Sequence, residues 1–148
     1  MADKPNLPKL LKLEKGFPCY KPLAKMGVKA GEEVILTNPG EVLPIMNTVP
    51  KGRLITIVEI CKKLAKKHRV AGCCTLTTGI FIMTAANAAK ETGGRLPYWR
   101  TLKGDGSLNE KFPGGAISQK RLLEREGFRI IKKGKRYLVH DFEKCLIR

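Results

Sequence analysis

Two helical apolar patterns stand close together in the middle of this chain. Ile57, Ile60, Cys61 and Leu64 recur at helical spacing behind Thr56, which can cap a helix running to about Lys67. Thr77-Thr78-Gly79 begins a second helix that reaches about Glu91 and stops at Gly93-Gly94. Its start is strongly apolar over residues 80–83, and Ala85, Ala86, Ala88 and Ala89 keep it slim. A slim helix can approach another backbone closely, or it can be a buried core helix. For most of its residues the core reading is preferred. The other face of the first helix carries Lys62, Lys63, Lys66 and Lys67, extended by His68-Arg69. A lysine-rich helix face is usually only solvated, but this run is long enough to suggest phosphate binding.

Charge points the same way. The 148 residues hold 29 Lys and Arg against 13 Asp and Glu, a formal charge of +16. Self-repulsion on that scale disfavours a compact state unless a polyanion is close by. Nucleic acid is the commonest such partner, with an anionic membrane surface as rival and mere high solubility as the plain alternative. A hydrophobic fraction of 43% is enough for one core. No signal peptide is evident, and the longest apolar run, residues 79–86, is too short to span a bilayer. A cytoplasmic location is expected (nucleoid-associated in a prokaryote), with no membrane partner. The five cysteines show no CxxC or Cys/His ligand spacing, so neither a disulfide framework nor a zinc site is expected. Cys73-Cys74 is expected to be buried at a helix approach. No cofactor or metal is expected.

The rest of the chain reads in short pieces. Residues 1–40 are expected to form a mostly irregular basic arm punctuated by Pro and Gly, with one short strand at Glu33–Leu36. Residues 41–47 carry a short helical face, and Pro50-Lys-Gly-Arg53 is a turn. Lys103-Gly-Asp-Gly106 is a tight turn of the Asp-Gly kind. Ser118 is expected to cap a helix through Arg125 that Gly127 stops. Residues 128–139 read as two strands around a basic tip at Lys132, Lys133, Lys135 and Arg136, followed by a short closing helix. The tip is either an added phosphate contact or a solvated turn.

Several of these pieces, taken in order, resemble one family. Val49-Pro-Lys-Gly-Arg-Leu-Ile-Thr56 is similar to the IPxGxVxTY entry to the helix-turn-helix of the O6-alkylguanine-DNA alkyltransferases. Pro97-Tyr-Trp-Arg100 stands where that family carries its reactive PCHR motif. Gly104-Asp-Gly106 resembles the turn that follows, and Gly114-Gly115 with Leu122-Leu-Glu-Arg-Glu-Gly127 resembles the GGxxxKxxLLxxEG stretch. Order and spacing agree over about residues 45–128. The resemblance implies an α/β fold with a winged-helix-like DNA-binding unit over 41–128. The basic arm (1–40) precedes it, and the hairpin and short helix of 129–148 complete the same domain.

The departures bear on chemistry. Alkyl transfer needs a thiolate, with a histidine and a glutamate to relay the proton. Here the cysteine position is Tyr98 and the histidine position is Trp99, and only the glutamate remains, as Glu126. A phenol with a pKa near ~10 is a poor alkyl acceptor. The pattern is similar to the alkyltransferase-like proteins, which lack the cysteine, bind O6-alkylguanine in DNA and hand the lesion to excision repair. They usually place Trp at the cysteine position and keep the histidine. The resemblance therefore implies a non-catalytic sensor of alkylated bases in DNA repair. Its expected partners are double-stranded DNA and excision-repair proteins, and it is expected to be a monomer.

By the same resemblance, Pro97, Tyr98, Trp99, Arg100 and Glu126 would form a lesion pocket for a flipped base. Tyr98 and Trp99 can be an aromatic wall for stacking or a core plug in a dead pocket, and both readings stay open. Lys51, Arg53, Lys62 and Lys63 would hold phosphates. Thr56, Thr78, Gly79, Ile80 and Ala85 would lie at a DNA face, with the second helix in the minor groove. Two family features are missing. The tyrosine after the VxT segment falls at Ile57, and residues 70–94 hold no arginine to fill an emptied base stack. An apolar wedge such as Ile80 or Phe81 would have to do so, although a core role is the preferred reading for both. Two alternatives remain: a basic DNA- or RNA-binding protein without lesion preference, and a base-processing enzyme using Glu126 or Asp141 as acid or base.

Overall fold

The computed structural model describes residues 9–93 and 95–147. In chain order the elements are β1 (Lys9–Lys12), α1 (Tyr20–Lys25), β2 (Glu33–Leu36), α2 (Pro39–Asn47), β3 (Ile55–Thr56), α3 (Ile57–His68), β4 (Gly72–Cys73), α4 (Thr75–Thr92), β5 (Thr101–Leu102), α5 (Gly115–Arg125), β6 (Ile130–Lys133) and β7 (Arg136–Val139). Short 3-10 turns lie at Tyr98–Arg100 and Phe142–Cys145. The class is α/β, as expected.

The two central helices form where the apolar spacing puts them. The Thr56 hydroxyl accepts from the Glu59 amide at 3.2 Å and caps α3. Arg69, in the left-handed region with φ 56°, ends that helix. Cys74 then caps α4 through its sulfur, which accepts from the Thr77 amide at 3.5 Å. Gly93, with φ 67°, stops α4. Cys73 and Cys74 are both buried at this helix approach, as expected.

The expectation of a mostly irregular segment before residue 40 is corrected for residues 9–36. There β1 pairs antiparallel with β2, and β2 pairs parallel with β4 in the short link between α3 and α4. Leu13, Cys19, Leu23, Val28, Val34 and Cys74 pack into a core of their own. Gly72 permits the approach, because a Cβ there would lie 2.8 Å from Val28 and 2.9 Å from Leu23. The first eight residues of the predicted arm lie outside the described residues.

The main core joins α2, α3 and α4. Ala85, Ala86 and Ala89 face inward, and their small size lets α4 sit close to its neighbours. A third cluster ties Leu54, Leu102, Leu108, Leu123, Val139 and Leu146 together beneath α5 and the β6–β7 hairpin. Helix α5 starts at Gly115 rather than at Ser118, with Gly114 in the left-handed region as its cap. Helix α2 opens at Pro39, two residues before the expected helical face of 41–47, with the proline in the first turn, where it lacks no needed hydrogen bond. No helix among the described residues is long and apolar enough to cross a membrane.

Candidate functional site

The Pro97-Tyr-Trp-Arg100 segment is built into the fold from three sides. It makes a single 3-10 turn, with the Arg100 amide donating to the Pro97 carbonyl at 3.1 Å. It then runs into β5, which pairs parallel with β3 at the very start of α3. Gln119 of α5 is buried beneath it. Its amide nitrogen donates to the carbonyls of Trp99 (3.0 Å) and Thr101 (3.2 Å), while its oxygen accepts from the Asn109 amide at 2.7 Å. Sequence reasoning missed Gln119, because a glutamine on an amphipathic helix carries no signal of burial.

Tyr98 is 5% exposed and belongs to the main core. Its ring meets Trp99 and Phe112 edge-on, at centroid distances of 5.4 and 5.5 Å. Burial raises the pKa of its phenol. Of the two readings left open for Tyr98, this geometry favours the core plug. Pro97 is buried beside it. Trp99 is half-buried and donates its indole N–H to Glu126 Oε2 at 2.7 Å.

Arg100 and Glu126 close the cluster. The guanidinium donates to both carboxylate oxygens, at 2.9 to 3.0 Å, and its Nη1 donates to the Val49 carbonyl at 2.7 Å. Arg100 therefore faces its partners rather than an open pocket. Burial pushes the Glu126 carboxyl up, but the hydrogen bonds from Arg100 and Trp99 and the guanidinium charge outweigh it and hold the pKa below the usual carboxylate range. A carboxylate so occupied is badly placed to move protons for a substrate. Asp141, the other candidate acid or base, is exposed on the closing turn beside His140 and Lys144.

The predicted DNA-facing residues separate into two groups. Lys51 and Lys62 are exposed, and Lys63 is half-exposed. Arg53 is exposed too, but one guanidinium nitrogen donates to the Leu146 carbonyl at 3.0 Å. Thr56, Thr78 and Ala85 are buried, which corrects their expected place at a DNA face. The Thr56 oxygen is occupied as the cap of α3, Thr78 donates to the Cys74 carbonyl at 2.8 Å, and Ala85 packs in the core. Lys67 and His68 are bound to Glu41, at 3.0 and 2.8 Å, so the basic run is partly neutralised at its end. Among the described residues no group of three or more His, Cys, Asp and Glu is arranged to hold a metal ion.

The surface of α4 departs most from expectation. Ile80 is 59% exposed, not a core residue, whereas Phe81 packs against the core as preferred. Leu76, one turn earlier, is 46% exposed. Grooves run along both sides of this ridge. One, of about 320 Å³, is lined by Leu11, Phe17, Cys19 and Leu36. The other, of about 550 Å³, is lined by Ile57, Met83, Asn109, Lys111 and the ion pair of Lys103 with Glu110. Gly79 lies at the second groove. The exposed tip of the β6–β7 hairpin carries Lys132, Lys133, Lys135 and Arg136, the last paired with Asp105.

No family model and no curated protein matches the chain. Solved structures do match. The S. pombe protein Atl1, in complex with damaged DNA containing O6-carboxymethylguanine, superposes with a TM-score of 0.56 at 18% identity. A second structure of S. pombe ATL in complex with DNA gives a TM-score of 0.57 at 16% identity. Each match covers 94% of the neighbour and 74% of this chain. This chain has the alkyltransferase-like fold. That fold spans nearly the whole neighbour, while part of the present chain lies beyond it. At this identity the likeness is one of architecture.

Proposed function

We propose that this chain binds double-stranded DNA and senses alkylated, O6-alkylguanine-type bases without repairing them. One observation carries the reading. The fold is shared with Atl1, whose structure is a complex with damaged DNA, and Tyr98, which the sequence resemblance sets at the reactive-cysteine position, is buried. A protonated, buried phenol cannot replace a thiolate as alkyl acceptor. The charge of +16 supports a polyanionic partner. Lys51, Lys62 and Lys63 are the proposed phosphate contacts. Gly79 and Ile80 are the proposed contacts of α4 with the duplex, and the half-exposed Trp99 is the aromatic surface nearest the former reactive position. Excision-repair proteins are the proposed recipients of the marked site, and the protein is proposed to act as a monomer.

A second reading is favoured by the packing of Tyr98. With that ring in the core, the chain would be a general DNA- or RNA-binding protein without lesion preference. A native mass spectrum with a duplex carrying a single O6-methylguanine tests the main reading. The expected result is a protein–DNA complex whose protein component keeps its unmodified mass. A gain of one methyl group on the protein would overturn the non-catalytic assignment, and absence of any complex would overturn DNA binding.

A further inference from the structure

We infer that Cys19 and Cys74 are a thiol pair that hydrogen peroxide converts to a reversible disulfide, tying the N-terminal strands to the start of α4. The inference goes beyond the DNA-binding reading and does not depend on it. No sequence spacing announces the pair, and the fold brings its members together. Cys19 stands at the start of α1 and Cys74 at the start of α4. Both are free thiols, 5% and 3% exposed, and both belong to the N-terminal core. Among the described residues, Cys74 is the one buried member of that core from outside residues 9–36. Its amide also donates to the Ile35 carbonyl of β2 at 2.9 Å. A bond between the two sulfurs would therefore lock the N-terminal unit to α4 where the two already meet.

The surroundings give the two sulfurs different roles. The Cys74 sulfur accepts from the Thr77 amide at 3.5 Å and from the Thr77 hydroxyl at 3.4 Å. Donors at the first turn of a helix support negative charge on an attacking sulfur. Burial, and then the hydrogen bond to Cys74, push the Cys19 thiol up and keep it protonated. Access comes from the apolar groove of about 320 Å³, which both residues line. Cys61 and Cys73 make the contrast. Both meet the Thr78 hydroxyl, at 3.6 and 3.4 Å, but they are fully buried in the main core and do not line this groove. In the first step the Cys74 thiolate attacks one peroxide oxygen. An S–O bond forms, the O–O bond breaks, and the departing hydroxide takes the proton that Cys74 gave up. In the second step the Cys19 sulfur attacks the Cys74 sulfenic sulfur. The S–S bond forms, the S–O bond breaks, and hydroxide leaves with the Cys19 proton as water. Two thiols are oxidised by two electrons and one peroxide is reduced to two waters. An added dithiol reverses the bond by exchange.

The experiment treats the reduced full chain with hydrogen peroxide, blocks the remaining thiols with iodoacetamide, and maps the peptides without reduction. The wild type is expected to lose two hydrogens in mass, to yield a peptide pair joined through Cys19 and Cys74, and to regain its mass with dithiothreitol. Its melting temperature should rise by several degrees on oxidation, because a cross-link over a long loop constrains the unfolded chain. Cys19→Ser removes the resolving thiol, so peroxide should add oxygen at Cys74 and form no cross-link. Cys74→Ser should leave Cys19 unoxidised under the same treatment. The wild-type map decides the pairing even if a serine variant fails to fold. A bond joining Cys61 to Cys73 or Cys73 to Cys74, or a cross-link between two chains through Cys145, would overturn the proposal. So would an unchanged mass at peroxide levels that oxidise free glutathione. Oxygen gained at Cys19 in Cys74→Ser would overturn the order of attack, and an unchanged or lower melting temperature of the cross-linked chain would overturn the tie.

Discussion

Arg100 and Glu126 hold the two halves of the motif region together. The guanidinium grips both carboxylate oxygens and also reaches the Val49 carbonyl ahead of the first central helix. Side-chain exposures of 14% and 8% place the pair mostly out of water. Removing one partner of such a pair strands the other charge, at a cost of about 3–5 kcal/mol. Arg100→Met is therefore expected to lower stability by that order. Arg100→Met/Glu126→Leu should cost less than the sum of the single changes, as residues in contact are not additive. Urea unfolding of the three variants checks this.

The pH dependence of the same pair has a definite sign. The folded pKa of Glu126 is depressed, so the stability it contributes is present above the unfolded carboxylate value of about 4.3 and is lost as pH falls through the folded value. Glu126→Gln lacks this titration. The stability gap between wild type and Glu126→Gln is expected to be full at pH 6 and to shrink steadily below pH ~4.3. A gap that stays constant or widens on acidification would contradict the account.

Tyr98 should behave as a core residue. Replacing a buried aromatic side chain by alanine costs about 3–5 kcal/mol, whereas Tyr98→Phe keeps the ring and should cost less than about 1.5 kcal/mol. Thermal unfolding of both variants separates ring packing from any role of the hydroxyl. Duplex affinity of Tyr98→Phe should match the wild type.

Phosphate contacts should show in salt. Duplex affinity is expected to fall steeply with salt, with a log–log slope of about −0.9 for each phosphate neutralised. Lys62→Ala/Lys63→Ala should flatten that slope by about one to two units if both lysines touch DNA. An unchanged slope would return them to the status of a solvated helix face.

Much of the fold was legible because it depends on local pattern. Thr56, the Ile57–Leu64 spacing and Gly93 bound the two central helices, and the Lys132–Arg136 tip marks its hairpin. Of residues 9–36 only the strand at Glu33–Leu36 was legible as structure. Their strands are four residues long, lie among prolines, and are completed by a two-residue partner more than thirty positions away in the chain. The site was legible in position more than in orientation. Small and weakly polar residues fit either side of a helix, so Thr78 and Ala85 read as surface although both are buried. Ile80 read as core for the opposite reason, because hydrophobicity carries no direction without its neighbours. Leu76 gave no separate signal at all.

Paired competition titrations on matched duplexes, one carrying O6-methylguanine and one carrying guanine at the same site, test the central claim most directly. A stacked contact made only at the lesion is worth about 1–3 kcal/mol, which corresponds to roughly 5- to 150-fold in affinity. The account predicts tighter binding of the lesion duplex by at least about fivefold at physiological salt, with quenching of Trp99, the sole tryptophan of the chain. Equal affinity for the two duplexes, with a Trp99 signal indifferent to the lesion, would contradict it.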